Sequence, residues 1–204
     1  MKRIDFIASL TKGYDTVIDI GTDHGLVLKK AFKKGYIKKA IAADLREKPL
    51  ESAKNNLKNY DVKFYLTDGF KNITDDYDLA IICGMGSHTI LDILSHASDH
   101  TKHFLLGAND KHEHLRENLM KQGFKIIDEH VIFDKFYYVF IKITKGNMSL
   151  TKEDLFLGPI LKTKPESKKY YQHLLKYYQE IYPKVDEDKK LDFKFKLECL
   201  AKRA

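Results

Sequence analysis

The chain has 204 residues, 43% hydrophobic and 32% charged, with a formal net charge of +7. That length holds one ordinary domain plus a small appendage, and no stretch approaches the roughly 20 consecutive apolar residues of a membrane span. Two cysteines, Cys83 and Cys199, stand far apart without metal-ligand spacing, so both read as reduced thiols and no metal site is expected.

The N-terminal stretch carries Asp5 and Asp15 and no apolar run, so no secretory leader and a cytoplasmic location are expected. TVIDI (16–20) reads as a buried strand. The segment between Gly25 and Gly35 puts Leu26, Leu28, Ala31 and Phe32 near one helical face. KAIAADL (39–45) is a second strand, and a helix follows from about Pro49, a residue suited to a first turn. VKFYLT (62–67) and DLAIIC (78–83) are strands three and four. SHTILDILSHA (87–97) is helical, HFLLGA (103–108) is a fifth strand, and the next helix closes at Gly123. Strands alternating with helices imply a doubly wound parallel sheet. FKIIDEHVIFD and KFYYVFIKIT then follow with no helix between them and read as an antiparallel pair.

KGNMSL (145–150) marks a boundary, so the expected domains are 1–150 and 151–204. Past it, Pro165 can open a helix with Tyr171, Leu174, Leu175, Tyr178 and Ile181 on one side. Pro183 ends it. A second helix starts near Glu187, with Leu191, Phe195, Leu197 and Leu200 as its apolar candidates, and the two form a helical hairpin. This last quarter carries +4 of the +7. A basic balance favours an anionic partner such as nucleic acid, although a Lys-rich solvated surface has the same composition. Lys29, Lys33, Lys168, Lys169 and Lys176 are the candidate RNA contacts.

The chemistry concentrates at strand ends. In VIDIGTDHGL (17–26) Asp19 closes the first strand and Gly21 permits a tight turn beside a ligand. A pyrophosphate-binding loop would carry a further glycine where this chain has Asp23 and His24. A carboxylate there repels a phosphate and suits S-adenosylmethionine, which presents a sulfonium and an ammonium group. Asp44 ends strand two, where it can accept both ribose hydroxyls. Asp68-Gly69 follows strand three, where a carboxylate can take the adenine amino group. CGMG (83–86) follows strand four: Gly84 and Gly86 leave space, and Met85 can lie against an adenine face. A single strand-end Asp is often only a helix cap; four such ends in succession are harder to dismiss.

DIGTDHG, Asp44, TDG and GMG, in this order, resemble the TrmK family of bacterial tRNA (adenine-22 N1)-methyltransferases. The resemblance covers the whole chain, including LFLGP (155–159) and the terminal hairpin. It implies a Rossmann-like class I methyltransferase fold: a mostly parallel seven-stranded sheet ending in an antiparallel hairpin, plus a C-terminal helical hairpin that contacts tRNA. It implies a donor site of Asp19, Gly21, Thr22, Asp23, Asp44, Leu45, Asp68, Gly69, Cys83, Gly84 and Met85, with S-adenosylhomocysteine as product. Asp23, His24 and Asn109 are the implied catalytic residues, and a monomer acting on tRNA is expected. The chain departs from the family twice. Ser87 stands where a further glycine is usual, and Gly107-Ala108-Asn109 replaces Gln-Pro-Asn, keeping only the Asn. The residues leave other readings open: a methyltransferase for a small molecule or protein, an NAD-dependent oxidoreductase, or a non-catalytic RNA-binding module.

Overall fold

A computed structural model describes residues 2–97 and 102–204. The sheet has seven strands: β1 (Thr16–Ile20), β2 (Lys39–Asp44), β3 (Val62–Leu66), β4 (Leu79–Met85), β5 (His103–Ala108), β6 (Phe124–Asp134) and β7 (Phe136–Lys145). They lie in the order β3-β2-β1-β4-β5-β7-β6. The first five run parallel, β7 lies antiparallel to β5, and β6 pairs antiparallel with β7. The expected mixed sheet with its terminal hairpin is therefore present.

The parallel strands are continuously apolar because both faces are covered. Ile18, Ile20, Ile41, Ala80, Ile82, Phe104 and Leu106 point to one face. There they meet α4 (Ser87–Ser95) through Ile90 and Leu94, and α5 (His112–Lys121) through Leu115 and Leu119. Val17, Ala40, Ala42, Leu79, Ile81 and Leu105 point to the other. They are covered by α1 (Arg3–Ser9), α2 (Leu26–Lys33) and α3 (Glu47–Leu57). The alternation by one residue is the period-two rule of a strand acting on a two-sided core.

Several elements differ from expectation in instructive ways. Helix α1 was not anticipated; its Ile4, Ile7 and Ala8 follow an i, i+3, i+4 pattern that seven residues express weakly. Helix α3 begins two residues before Pro49, which sits in the first turn where its missing N–H costs nothing. Leu26 is 42% exposed, because it lies about 200° around α2 from Leu28.

The C-terminal segment consists of α6 (Lys152–Leu157), two short 3₁₀ turns, α7 (Lys168–Ile181) and α8 (Glu187–Ala201). Helices α7 and α8 pair, joined by a turn at Pro183. Tyr171 is buried and Leu174, Leu175, Tyr178 and Ile181 are partly buried, as their spacing requires. On α8 the expected Phe195, Leu197 and Leu200 are at least partly buried, together with Phe193, Lys196 and Cys199. Leu191 is 81% exposed, since nine residues at about 100° each place it opposite Leu200. Leu157, Leu161, Tyr171, Cys199 and Leu200 join the same apolar cluster as Phe104 and Leu115, so the base of this arm is part of the main core.

Candidate functional site

The strand order reverses between β1 and β4, and in open α/β sheets ligands bind at the carboxyl ends flanking that point. A cleft of about 410 Å³ opens there, lined in part by Gly21, Asp23, Asp44, Leu45, Asp68, Gly69, Cys83, Gly84 and Met85. These nine come from the carboxyl ends of four strands and the loops that follow them. Asp19, Thr22 and His24 line an adjoining smaller space that shares Gly21, Asp23 and Cys83. Asn109 lies on the far side of Gly84, not in the cleft wall.

The first loop turns sharply after β1. Gly21 has φ +74°, and a β-carbon there would collide with Met85 Cε, so the glycine lets the two loops approach. The N–H groups of Gly21 and Thr22 donate to the Ala43 carbonyl at 2.8 and 2.9 Å. Asp23 N donates to Asp44 Oδ2 at 3.0 Å, and Gly25 N to the Thr22 carbonyl at 2.8 Å. Those donors are committed within the protein, and a phosphate cradle needs them free. Occupied amides thus argue against a pyrophosphate more directly than the charge of Asp23 does.

The carboxylates differ sharply in setting. Asp19 is 5% exposed. Burial, against an opposing hydrogen bond from Thr22 Oγ1 at 3.0 Å, raises its pKa to about 7. Asp44 is equally buried and accepts from the backbone of Asp23 and Arg46, which fixes its rotamer and leaves further lone pairs facing the cleft. Asp23 is exposed, with φ +51°. Its oxygens lie 3.7 Å from His24 Nε2 and 3.7 Å from Arg46 Nη2, so the Arg46 guanidinium offsets part of the charge expected at this position. Asp68 is exposed and paired with Lys71 at 2.6 Å, which holds its carboxyl below the usual range. Burial pushes the Cys83 thiol up, leaving it neutral and packed rather than nucleophilic. Asn109 Nδ2 donates to the Gly84 carbonyl at 2.9 Å and its N–H to the Met85 carbonyl at 2.9 Å. Asn109 therefore braces the GMG turn, and its Oδ1 remains available to a ligand.

Arg46, Thr67, Thr89, Ile93 and Arg3 also line the cleft and escaped the sequence reading. Arg46 could have been found, as a cation two residues beyond a strand-end acid. Arg3 could not, because it reaches the site from helix α1. Ser87, at the departure from GMGG, is wholly buried and its hydroxyl has no partner among the described residues. Among those residues no group of three or more His, Cys, Asp or Glu could hold a metal ion, and no helix is long and apolar enough to cross a membrane.

A methyltransferase-domain family model matches residues 1–141. A Mycoplasma genitalium protein provisionally named tRNA methyltransferase is 30% identical over 190 residues, covering 87% of both chains. The Bacillus subtilis tRNA (adenine(22)-N(1))-methyltransferase is 26% identical over 205 residues, covering 91% of this chain and 85% of the relative. Among solved structures, Mycoplasma capricolum TrmK with S-adenosylhomocysteine superimposes with a TM-score of 0.83 at 23% identity, over 98% of this chain and 95% of that one. That structural likeness establishes the fold. The chain belongs to the methyltransferase-domain family, and its 30% identical relative is a provisionally named bacterial tRNA methyltransferase.

Proposed function

We propose that the protein transfers a methyl group from S-adenosylmethionine to N1 of adenine 22 in tRNA. The observation that carries this reading is the convergence of four strand-end motifs on one cleft whose first loop has its amides already bonded. The relatives' substrates point the same way.

The donor supplies an electrophilic methyl carbon on a cationic sulfur. The residues present fit it. Asp44 accepts the ribose hydroxyls, and Asp68 with Gly69 receives the adenine amino end. Met85 and the glycines beside it give an apolar wall, and Asp19 and Asp23 balance positive charge. The target N1 has an in-plane lone pair, so attack needs no prior deprotonation. The protein's work is alignment of N1, carbon and sulfur. As charge passes to the purine, Asp23 stabilises the growing cation. His24, beside it, is placed to accept a proton from the exocyclic amine, and Asn109 Oδ1 can accept a hydrogen bond from the adenine edge. N1 lies on the pairing edge, so a paired target must leave its stack.

The test uses Asp23→Asn and His24→Ala. Asn tolerates the left-handed backbone at this position, which Ala would strain. Donor affinity is measured by calorimetry and methyl transfer by single turnover. Transfer from the bound donor slowed roughly 10²-fold is expected, beyond any loss of donor affinity that Asp23→Asn causes. Weakened donor binding with an unchanged chemical step would make both residues donor ligands only.

A further inference from the structure

Beside the donor cleft lies a second, larger groove of about 530 Å³, formed by the start of α1, the outer face of α2 and the β6–β7 turn. We propose that this groove is a clamp for the RNA phosphates that flank the target adenosine, with Arg3 as the residue joining clamp to cleft; the inference rests on the tRNA reading above.

Charge carries the first part of the argument. Lys2, Arg3, Lys29, Lys33 and Lys135 line the groove together with Lys30. Two carboxylates oppose these six cations, and both are already engaged. Asp5 holds Lys30 at 2.6 Å, and Asp134 Oδ2 accepts the Arg3 N–H at 2.8 Å. Lys29 donates to Asn56, but Lys2, Lys33 and Lys135 have no ion-pair partner among the described residues. Unpaired cations gathered in one concavity cost stability by mutual repulsion and raise the local concentration of a polyanion.

Geometry carries the second part. Arg3 lines this groove and the donor cleft alike. Its guanidinium lies 4.9 Å from the Tyr138 ring centroid, a cation–π contact that holds the group beside the groove while its N–H donors remain available to a phosphate. A nucleotide entering the cleft base-first would leave its phosphate near Arg3 and its neighbours along the lysines. Phe136 follows Lys135 in the turn and is 70% exposed. Exposed rings beside a basic groove are platforms for unpaired bases, a feature that a free phosphate or an acidic peptide does not require.

The experiment compares the full-length protein with the double variant Lys33→Glu/Lys135→Glu, and with Arg3→Ala and Arg3→Lys. Unmodified tRNA affinity is measured across a salt series, S-adenosylhomocysteine affinity by calorimetry, and methyl transfer by single turnover. The double variant should lose about tenfold or more in tRNA affinity and flatten the salt slope by about two, with donor affinity unchanged and the melting temperature equal to or above that of the wild type. Arg3→Ala should slow transfer to bound tRNA, and Arg3→Lys should recover part of the rate. Wild-type affinity and salt slope in the double variant would overturn the clamp while leaving the methyltransferase reading intact. A wild-type protein that binds donor but never methylates tRNA would overturn both.

Discussion

Asp19 is the residue on which the cleft's electrostatics turn. Its pKa of about 7 stands above the ordinary carboxylate value of 3.8, and burial is the main cause. The folded state therefore favours the protonated form. The stability this contributes is complete below about pH 4 and is lost as pH rises through 7, on the order of 4 kcal/mol by pH 8. The melting temperature of the ligand-free protein should fall from pH 5 to 8, and Asp19→Asn should flatten that fall. Affinity for the cationic donor should move oppositely, rising between pH 6 and 8 as the carboxylate ionises. A pH-independent donor affinity would place the donor's positive groups away from Asp19. Most of the lining of the candidate cleft was legible in the sequence because its residues sit where strands end, a place that periodicity locates. The unequal weight of the acids was not, because it depends on burial, which the spacing of residues at strand ends does not report. Asp23 looked like the dominant charge; Asp19, buried behind it, is the more perturbed.

Among the elements, the C-terminal arm is fastened by a buried ion pair. Arg116 on α5 and Glu129 on β6 meet at 2.8 Å, with side chains 2% and 0% exposed. Glu129 Oε2 also accepts the N–H groups of Ile160 and Leu161 at 2.9 Å, while Arg116 Nη1 donates to the carbonyls of Leu155 and Phe156. The pair thus fastens the chain following α6 to the sheet. Tyr171 Oη, donating to the Leu157 carbonyl at 2.8 Å, adds a second fastening. Arg116→Met leaves Glu129 buried without its cation and should cost about 3–5 kcal/mol, lowering the melting temperature by roughly 10 °C. A shift below about 2 °C in thermal denaturation would show the pair to be dispensable. The alternation of strands with helices, the terminal hairpin and the pairing of α7 with α8 follow from periodicity and turn residues, and all were legible. The docking of the arm was not, since it depends on two charged residues 13 positions apart that read in sequence as ordinary surface groups.

At the scale of the whole molecule, we propose that the cleft, the basic groove and the helical arm together receive a substrate far larger than a free nucleoside. Lys168, Lys169 and Lys176 are exposed along α7, and we propose that residues 151–204 make the more distant tRNA contacts. Because Leu161, Tyr171 and Leu200 belong to the main core, removing residues 160–204 would expose apolar surface and confound folding with binding. Charge reversal at Lys168, Lys169 and Lys176 is the cleaner probe. It should weaken tRNA binding more at low salt than at high salt and leave donor affinity unchanged. Unaltered binding in a salt series would remove the arm from the RNA surface. The central claim is tested most directly by incubating the protein with unmodified tRNA and methyl-labelled S-adenosylmethionine, then locating the label by nuclease digestion and mass spectrometry. The account predicts one methyl group per tRNA, on N1 of adenine 22. Label on another atom or nucleotide, or none from a protein that binds the donor, would contradict it.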